Sequence, residues 1–245
     1  MFKSWLATGL VIGSSDRQEA DRLITVYTRE FGKIRITAKA VRKIASKLYG
    51  GTELFVLMEL EFINGKSLNT MTDYRILKRY RGIKSDLLKI KTAHDIGAII
   101  DLTVRNEQKD IRIWSLIRQV FRFLDSEKNG SRFRLTCYHY FFWNLMGILG
   151  YGPDTDHCCF CGRKLIPQDM AFSPLHGGIK CYTCLSRGYS ESEIAISINA
   201  VKILRLILKR KMDILKKIKS AVNAEKELEK LSVLYLRHQF PVQLK

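Results

Sequence analysis

Cys158-Cys159-Phe160-Cys161-Gly162, followed by Gly177-Gly178-Ile179-Lys180-Cys181-Tyr182-Thr183-Cys184, decides the reading of this chain. Two C-x-x-C pairs separated by 19 residues have the spacing of a structural metal site, because each pair turns two thiolates toward one point. Gly162 follows the first pair, where a glycine lets backbone amides approach the sulfurs, and Gly177 and Gly178 suit the tight hairpin that brings the second pair across. The expected ligands are Cys158, Cys161, Cys181 and Cys184 around one zinc ion. Cys159 would leave too short a chelate loop with Cys161, and His157 and His176 are rivals that four thiolates make unnecessary. A shell closed by four sulfurs has no position for water or substrate, so the zinc is expected to hold structure and not to catalyse. Two disulfides are the alternative, set aside because a basic chain with no secretion signal belongs where thiols stay reduced.

On either side of the cysteines the apolar residues recur every three to four positions. Trp114, Ile117, Phe121 and Leu124 make one stripe, and Leu135, Tyr138, Phe142, Leu145 and Leu149 make a second, which Gly150 and Pro153 end. An earlier helix is expected over residues 84 to 106, with Asn106 and Asp110 at the break. Beyond the cysteines, Ile198, Val201, Leu204 and Leu208 predict a helix whose other face carries Lys202, Arg205, Lys209, Arg210 and Lys211; Leu228, Leu231 and Tyr235 predict a last one. The aromatic run Tyr138 to Trp143 and Cys137 read as core. The metal segment is thus an insertion in a helical bundle.

The first 75 residues alternate instead. Leu6, Thr8, Leu10 and Ile12 predict a strand rather than a secretion signal, since the apolar stretch is short and runs into Asp16, Arg17, Glu19 and Asp21. Further strands are expected at Leu23 to Thr28, Ile34 to Lys39, Leu54 to Ile63 and Ser67 to Arg75, with turns at Glu30 to Lys33 and Asn64 to Lys66. Five short antiparallel strands suit an OB-type barrel, although an SH3-like one has the same periodicity. The fold class expected is α+β and multidomain: an OB-type barrel over 1–80, a helical domain over 81–150 and 193–245, and a zinc module over 151–192 inserted in it.

Of 245 residues, 42 are basic and 24 acidic, a net charge of +18, so the chain attracts polyanions. The charge concentrates around the third strand and the loop after it: Lys33, Arg35, Lys39, Arg42, Lys43 and Lys47 are the candidate nucleic-acid contacts, on what reads as a flexible loop. Phe31 and Tyr49 are the nearby stacking candidates, and Lys202, Arg205, Lys209 and Arg210 form a secondary basic face for DNA or an acidic peptide. No segment approaches the roughly 20 apolar residues that span a bilayer, so a soluble, cytoplasmic protein is expected. Enzymatic motifs are missing too: there is no Lys-x-Asp-Gly nucleotidyl motif, no G-x-x-x-x-G-K-[ST] loop and no paired magnesium carboxylates. An RNA-binding or ribosome-associated module is the competing non-enzymatic reading.

The order of parts resembles the RecO family of bacterial recombination mediators over nearly the full chain. Glu19 to Leu23, Thr28 to Gly32 and Ala38 to Ser46 resemble its N-terminal segments. Leu149 to Pro153, Cys158 to Gly162, Ala171 to Ser173 and Gly177 to Cys184 resemble its helix end and four-cysteine segment. Ala40 departs from the glycine expected in the basic segment, and some family members lack the cysteines. The resemblance implies a DNA repair protein, not an enzyme, that binds single-stranded and double-stranded DNA and anneals complementary strands. It also implies partners: RecR, the acidic tail of single-stranded-DNA-binding protein and, indirectly, RecA, with the protein cytoplasmic and associated with the nucleoid.

Overall fold

A computed structural model describes residues 4–43, 46–65, 68–126, 131–188, 193–210 and 222–241. Lys66, Ser67 and Lys211, and the Leu135 side chain, lie outside the described residues. By its contacts the chain divides into two units, Met1–Lys128 and Asn129–Lys245.

The first unit is built on β1 (Ser4–Arg17), β2 (Asp21–Thr28), β3 (Gly32–Ala38), β4 (Val56–Ile63) and β5 (Asn69–Arg79), which close in the order β1-β2-β3-β5-β4. β1 pairs with both β2 and β4, and β3 meets β5 in parallel at Ile36 and Thr37, the arrangement of an OB barrel. Alternation works as expected where one face is buried: Val11, Ile24, Val26, Ile34, Ile36, Met58 and Leu60 fill the interior. β1 runs further than its apolar residues predict. Gly13 to Arg17 are polar, yet a bulge between Val11 and Gly13 keeps them paired with Asp21 to Thr25, so the β1–β2 hairpin projects as a charged tip.

The helix expected over residues 84 to 106 is α2 (Leu87–Thr103), preceded by a separate one-turn α1 (Arg81–Lys84). Asp86 separates them: its carboxylate accepts from the N–H groups of Leu88 and Lys89, an N-cap that starts a new helix. α2 packs on β1, where Gly97 lies so close to the Ile12 carbonyl that a Cβ would meet it at 2.4 Å. α3 (Ile111–Ser126) turns its predicted stripe inward, and Phe121 touches Phe55 and Tyr80. These helices cluster with the barrel.

In the second unit α4 (Ser131–Ile148), α6 (Ile198–Leu208) and α7 (Val222–Gln239) form the bundle. The aromatic run is core: Tyr140, Phe141, Phe142 and Trp143 are buried, as is Cys137. Gly150 stops α4 with φ at +89°, a backbone that glycine adopts at no steric cost. The cysteine segment contains a sheet that its short runs gave no reason to expect, β6 (Asp154–Cys158), β8 (Gly178–Lys180), β7 (Met170–Ser173) and β9 (Ile194–Ile196) in that order, with the one-turn α5 (Tyr182–Leu185). Tyr235 of α7 is the meeting point of this unit. Its ring lies 5.5 Å from Trp143 and 5.4 Å from Phe172, and its hydroxyl donates to the Tyr151 carbonyl at 2.7 Å.

Candidate metal centre and nucleic-acid surface

Four thiols gather at one end of the β6–β8 sheet. The sulfurs of Cys158, Cys161, Cys181 and Cys184 all lie within 4.8 Å of one another. Those of Cys161 and Cys181 are 3.8 Å apart, the edge of a tetrahedron with metal–sulfur bonds of about 2.3 Å. The local chain is shaped for this: Cys158 donates its N–H to the Arg163 carbonyl, Gly162 donates to the Cys158 carbonyl, and Gly162 takes φ of +70°. Burial works against ionising Cys158, but backbone N–H donors outweigh it; those of Phe160 and Cys181 reach its sulfur at 3.4 Å, and its thiol is held below the ordinary range. The Arg163 N–H draws Cys161 down to about 6, while burial and then the neighbouring thiols push Cys184 up to about 12. Four thiolates this close repel one another, so full ionisation requires a cation among them. The donor set therefore fits a thiolate-binding ion such as zinc. Cys159 is outside the cluster of four, its thiol pushed up to about 11 by burial and by Cys158. His157 and His176 make other contacts, His157 with Asp154 and His176 with Ser173.

The cations of the first unit separate into two groups. Lys39, Arg42, Lys43 and Lys47 are exposed on the β3–β4 connection. That connection is less free than its composition implies over its first half: Val41 is fully buried in the barrel core, Arg42 donates its N–H to the Ala20 carbonyl at 3.0 Å, and Ala40 donates to Asp21 Oδ1 at 2.8 Å. Ala40 supplies the bend at φ +52°, the left-handed conformation for which glycine is the usual residue. The loop is thus fastened to the β1–β2 tip, where Asp16 bridges Arg22 at 3.2 Å and Arg42 at 3.6 Å. Exposed pairs of this kind contribute little, so both arginines can exchange Asp16 for another anion.

Lys33 corrects the expected contact set. Only 4% of it is exposed, and its Nζ lies 3.1 Å from Asp101 Oδ1 and donates to the Asp101 carbonyl at 2.5 Å. It fastens β3 to α2 and faces no solvent. Arg35 is half-exposed and pairs with the same carboxylate at 3.2 Å. Phe31 is no stacking platform either: it packs edge-on between Trp5 and Phe62. Tyr49 stays 55% exposed, with the Arg22 guanidinium 5.9 Å from its ring. Arg17 and Arg22, which the sequence reading does not single out, stand at the same tip, in a strand and its polar extension, where the charged pairs Asp16-Arg17 and Asp21-Arg22 are the signal in the chain. The same end opens on a cavity of about 520 Å³ lined by Ser14, Ser15, Arg22, Lys84 and His94.

On α6 and just after it, Lys202, Lys209 and Arg210 are exposed, but Arg205 is engaged internally. It donates through Nε and Nη2 to the Thr155 carbonyl at 2.9 and 2.5 Å and pairs with Asp156, tying α6 to β6. Among the described residues no helix is long and apolar enough to cross a membrane.

The chain thus joins a closed barrel bearing a cationic loop to a helical bundle with a four-cysteine module whose donor set fits a metal ion. The family profile described as "Recombination protein O N terminal" matches residues 1–80, and "Recombination protein O C terminal" matches residues 84–245. The chain is 31% identical over 229 residues to the DNA repair protein RecO of Roseiflexus sp. (strain RS-1), covering 94% of this chain and 78% of that one. It is 31% identical over 198 residues to its namesake in Dehalococcoides mccartyi, with 81% and 76% covered. The corresponding protein of Desulfitobacterium hafniense is 29% identical over 227 residues, with 92% and 81% covered. The chain belongs to the RecO family, and this membership supports a role in DNA repair and recombination through DNA binding.

Proposed function

We propose that this protein is a recombination mediator without enzymatic activity, which binds single-stranded and double-stranded DNA, anneals complementary strands and, with RecR, helps load RecA onto DNA coated by single-stranded-DNA-binding protein. The observation that carries the reading is the exposed set Lys39, Arg42, Lys43 and Lys47, held on a loop pinned to the barrel tip and backed by Arg22. Cations along such a loop neutralise phosphates and release counterions, while the bases of the held strand stay free to pair with a complement. Arg35 is a further contact at the cost of its Asp101 pairing. Cys158, Cys161, Cys181 and Cys184 hold one structural zinc, which braces the 151–192 module beside the small apolar core around Phe172 and Ile179 and supplies no chemistry to substrate. Lys202, Lys209 and Arg210 form a second basic face, for DNA or for the acidic tail of single-stranded-DNA-binding protein. The working location is the cytoplasm, on the nucleoid.

Neutralising Arg42, Lys43 and Lys47 together tests the surface. Each phosphate contact on single strands contributes about 0.7 to the slope of log affinity against log salt, so the triple variant should lose about 2 from that slope. Zinc content should not change. Unaltered affinity would move the DNA site elsewhere, and failure to anneal strands coated with single-stranded-DNA-binding protein would remove the mediator role.

A further inference from the structure

Both C-x-x-C turns carry an aromatic ring directly beside a cysteine, and both rings face solvent. Phe160 is 63% exposed and Tyr182 is 52% exposed. A lone exposed ring needs no explanation, but two rings set beside cysteines of one cluster form a local patch of the kind that marks a contact site. They are also rigidly based: Phe160 stands between Cys158 and Cys161, and its N–H donates to the Cys158 sulfur, while Tyr182 opens α5 directly after Cys181. Since the Cys161 and Cys181 sulfurs are 3.8 Å apart, the two rings spring from one knob.

The surroundings of Phe160 orient it further. Its ring meets His176 nearly edge-on, with centroids 5.6 Å apart, and Lys180 Nζ lies 5.2 Å from its centroid. Lys180 is itself fixed from below, donating to Glu193 Oε1 at 2.9 Å and to the Gly188 carbonyl at 2.7 Å. A cation near the ring draws its π electrons and leaves the open side a better partner for an electron-rich ring. Arg163, Lys164 and Arg187 are exposed on the same two turns, and Asp169 is the sole acidic residue from His157 to Gly188.

From these rings and cations we infer that the paired cysteine turns form a second contact for single-stranded nucleic acid, stacking an unpaired base on Phe160 and another on Tyr182, with phosphate held by Arg163 and Lys164. The inference rests on the DNA-binding reading above and adds to it a second platform for bases, apart from Tyr49 of the barrel unit. Four thiolates around a divalent ion would retain two negative charges, which offset much of the cationic charge nearby. Stacking, not charge, is therefore the main attraction here, and it works on any base because every base has a π face.

The test compares binding of oligothymidylate with binding of an abasic strand of equal length, for the unsubstituted protein, Phe160→Ala, Phe160→Trp and Phe160→Ala/Tyr182→Ala. The unsubstituted protein should prefer the strand with bases. Phe160→Ala should weaken oligothymidylate binding about tenfold, equally at low and high salt, and leave abasic binding unchanged. Phe160→Trp should keep the preference, and the double variant should lose it. Retained zinc shows that each variant is folded. Equal binding by the unsubstituted protein and Phe160→Ala would overturn the inference and give the rings to a protein partner instead. If the unsubstituted protein bound neither strand, the DNA-binding reading itself would fall.

Discussion

Lys33 of β3 ends on Asp101 of α2, 3.1 Å from its carboxylate and donating to its carbonyl, in a place where 5% of the lysine side chain meets solvent. Removing one member of a buried pair leaves its partner uncompensated, but Asp101 is 38% exposed and keeps Arg35, which limits the cost. Lys33→Met should lower unfolding stability by about 2 kcal/mol, read from the denaturant midpoint. The salt slope of DNA binding should stay as it is; a reduced slope would return Lys33 to the DNA surface.

Ala40 spends its left-handed φ of +52° on the turn that starts the basic loop. A Cβ in that conformation costs about 1 kcal/mol relative to glycine. Ala40→Gly should therefore raise stability by about that amount in urea unfolding. A loss would mean that the flexibility gained by the unfolded chain outweighs the relieved contact.

Stripping the metal should open the cysteine module. Ligand binding in such modules is folding free energy, so a chelator should expose residues 159–188 to protease, and Cys161→Ser should lower zinc from one per chain. The barrel has its own core, and its protease resistance should persist. Full protection of the module without metal would show that its sheet stands alone.

His139 gives the fold an acid limit. It is 1% exposed in α4, neither ring nitrogen has a hydrogen-bond partner among the described residues, and burial lowers its pKa to about 4. In the unfolded chain it titrates near 6.5, so between these values the unfolded state binds the extra proton. Stability is complete above pH 6.5 and is lost as pH falls toward 4, by about 2 kcal/mol at pH 5. His139→Phe should lose less between pH 7 and pH 5 by that amount. The metal centre is common to both chains and cancels in the comparison. Parallel pH profiles would assign the acid sensitivity to other groups.

The parts of this structure that follow a period were legible in the chain. Alternation located the five strands, because one face of each fills the barrel, and the cysteine spacing located the metal cluster, because chelate geometry is local. Lys33 and Phe31 read as turn residues open to solvent, and a turn signal says nothing of what packs against it: Phe31 folds back onto Trp5 and Phe62, while Lys33 meets Asp101 of α2. Here α2 covers the start of β3, so a lysine expected in solvent is an interior one. Gly13 to Arg17 carry no apolar residue and pair only because their hairpin partner does, which hid both the length of β1 and the arginines at its tip. The sheet of the cysteine module was invisible because strands of three to five residues are too short to display a repeat.

Tyr235 has one more implication, for the order in which the molecule is made. Its ring completes the packing around Trp143 and Phe172, and its hydroxyl closes the Tyr151 carbonyl, yet it lies 63 residues or more after all of them. During synthesis the barrel can finish on the ribosome as soon as its own strands emerge. The second unit must wait with those aromatic surfaces uncovered until α7 has been translated, and in that interval it is a client for chaperones.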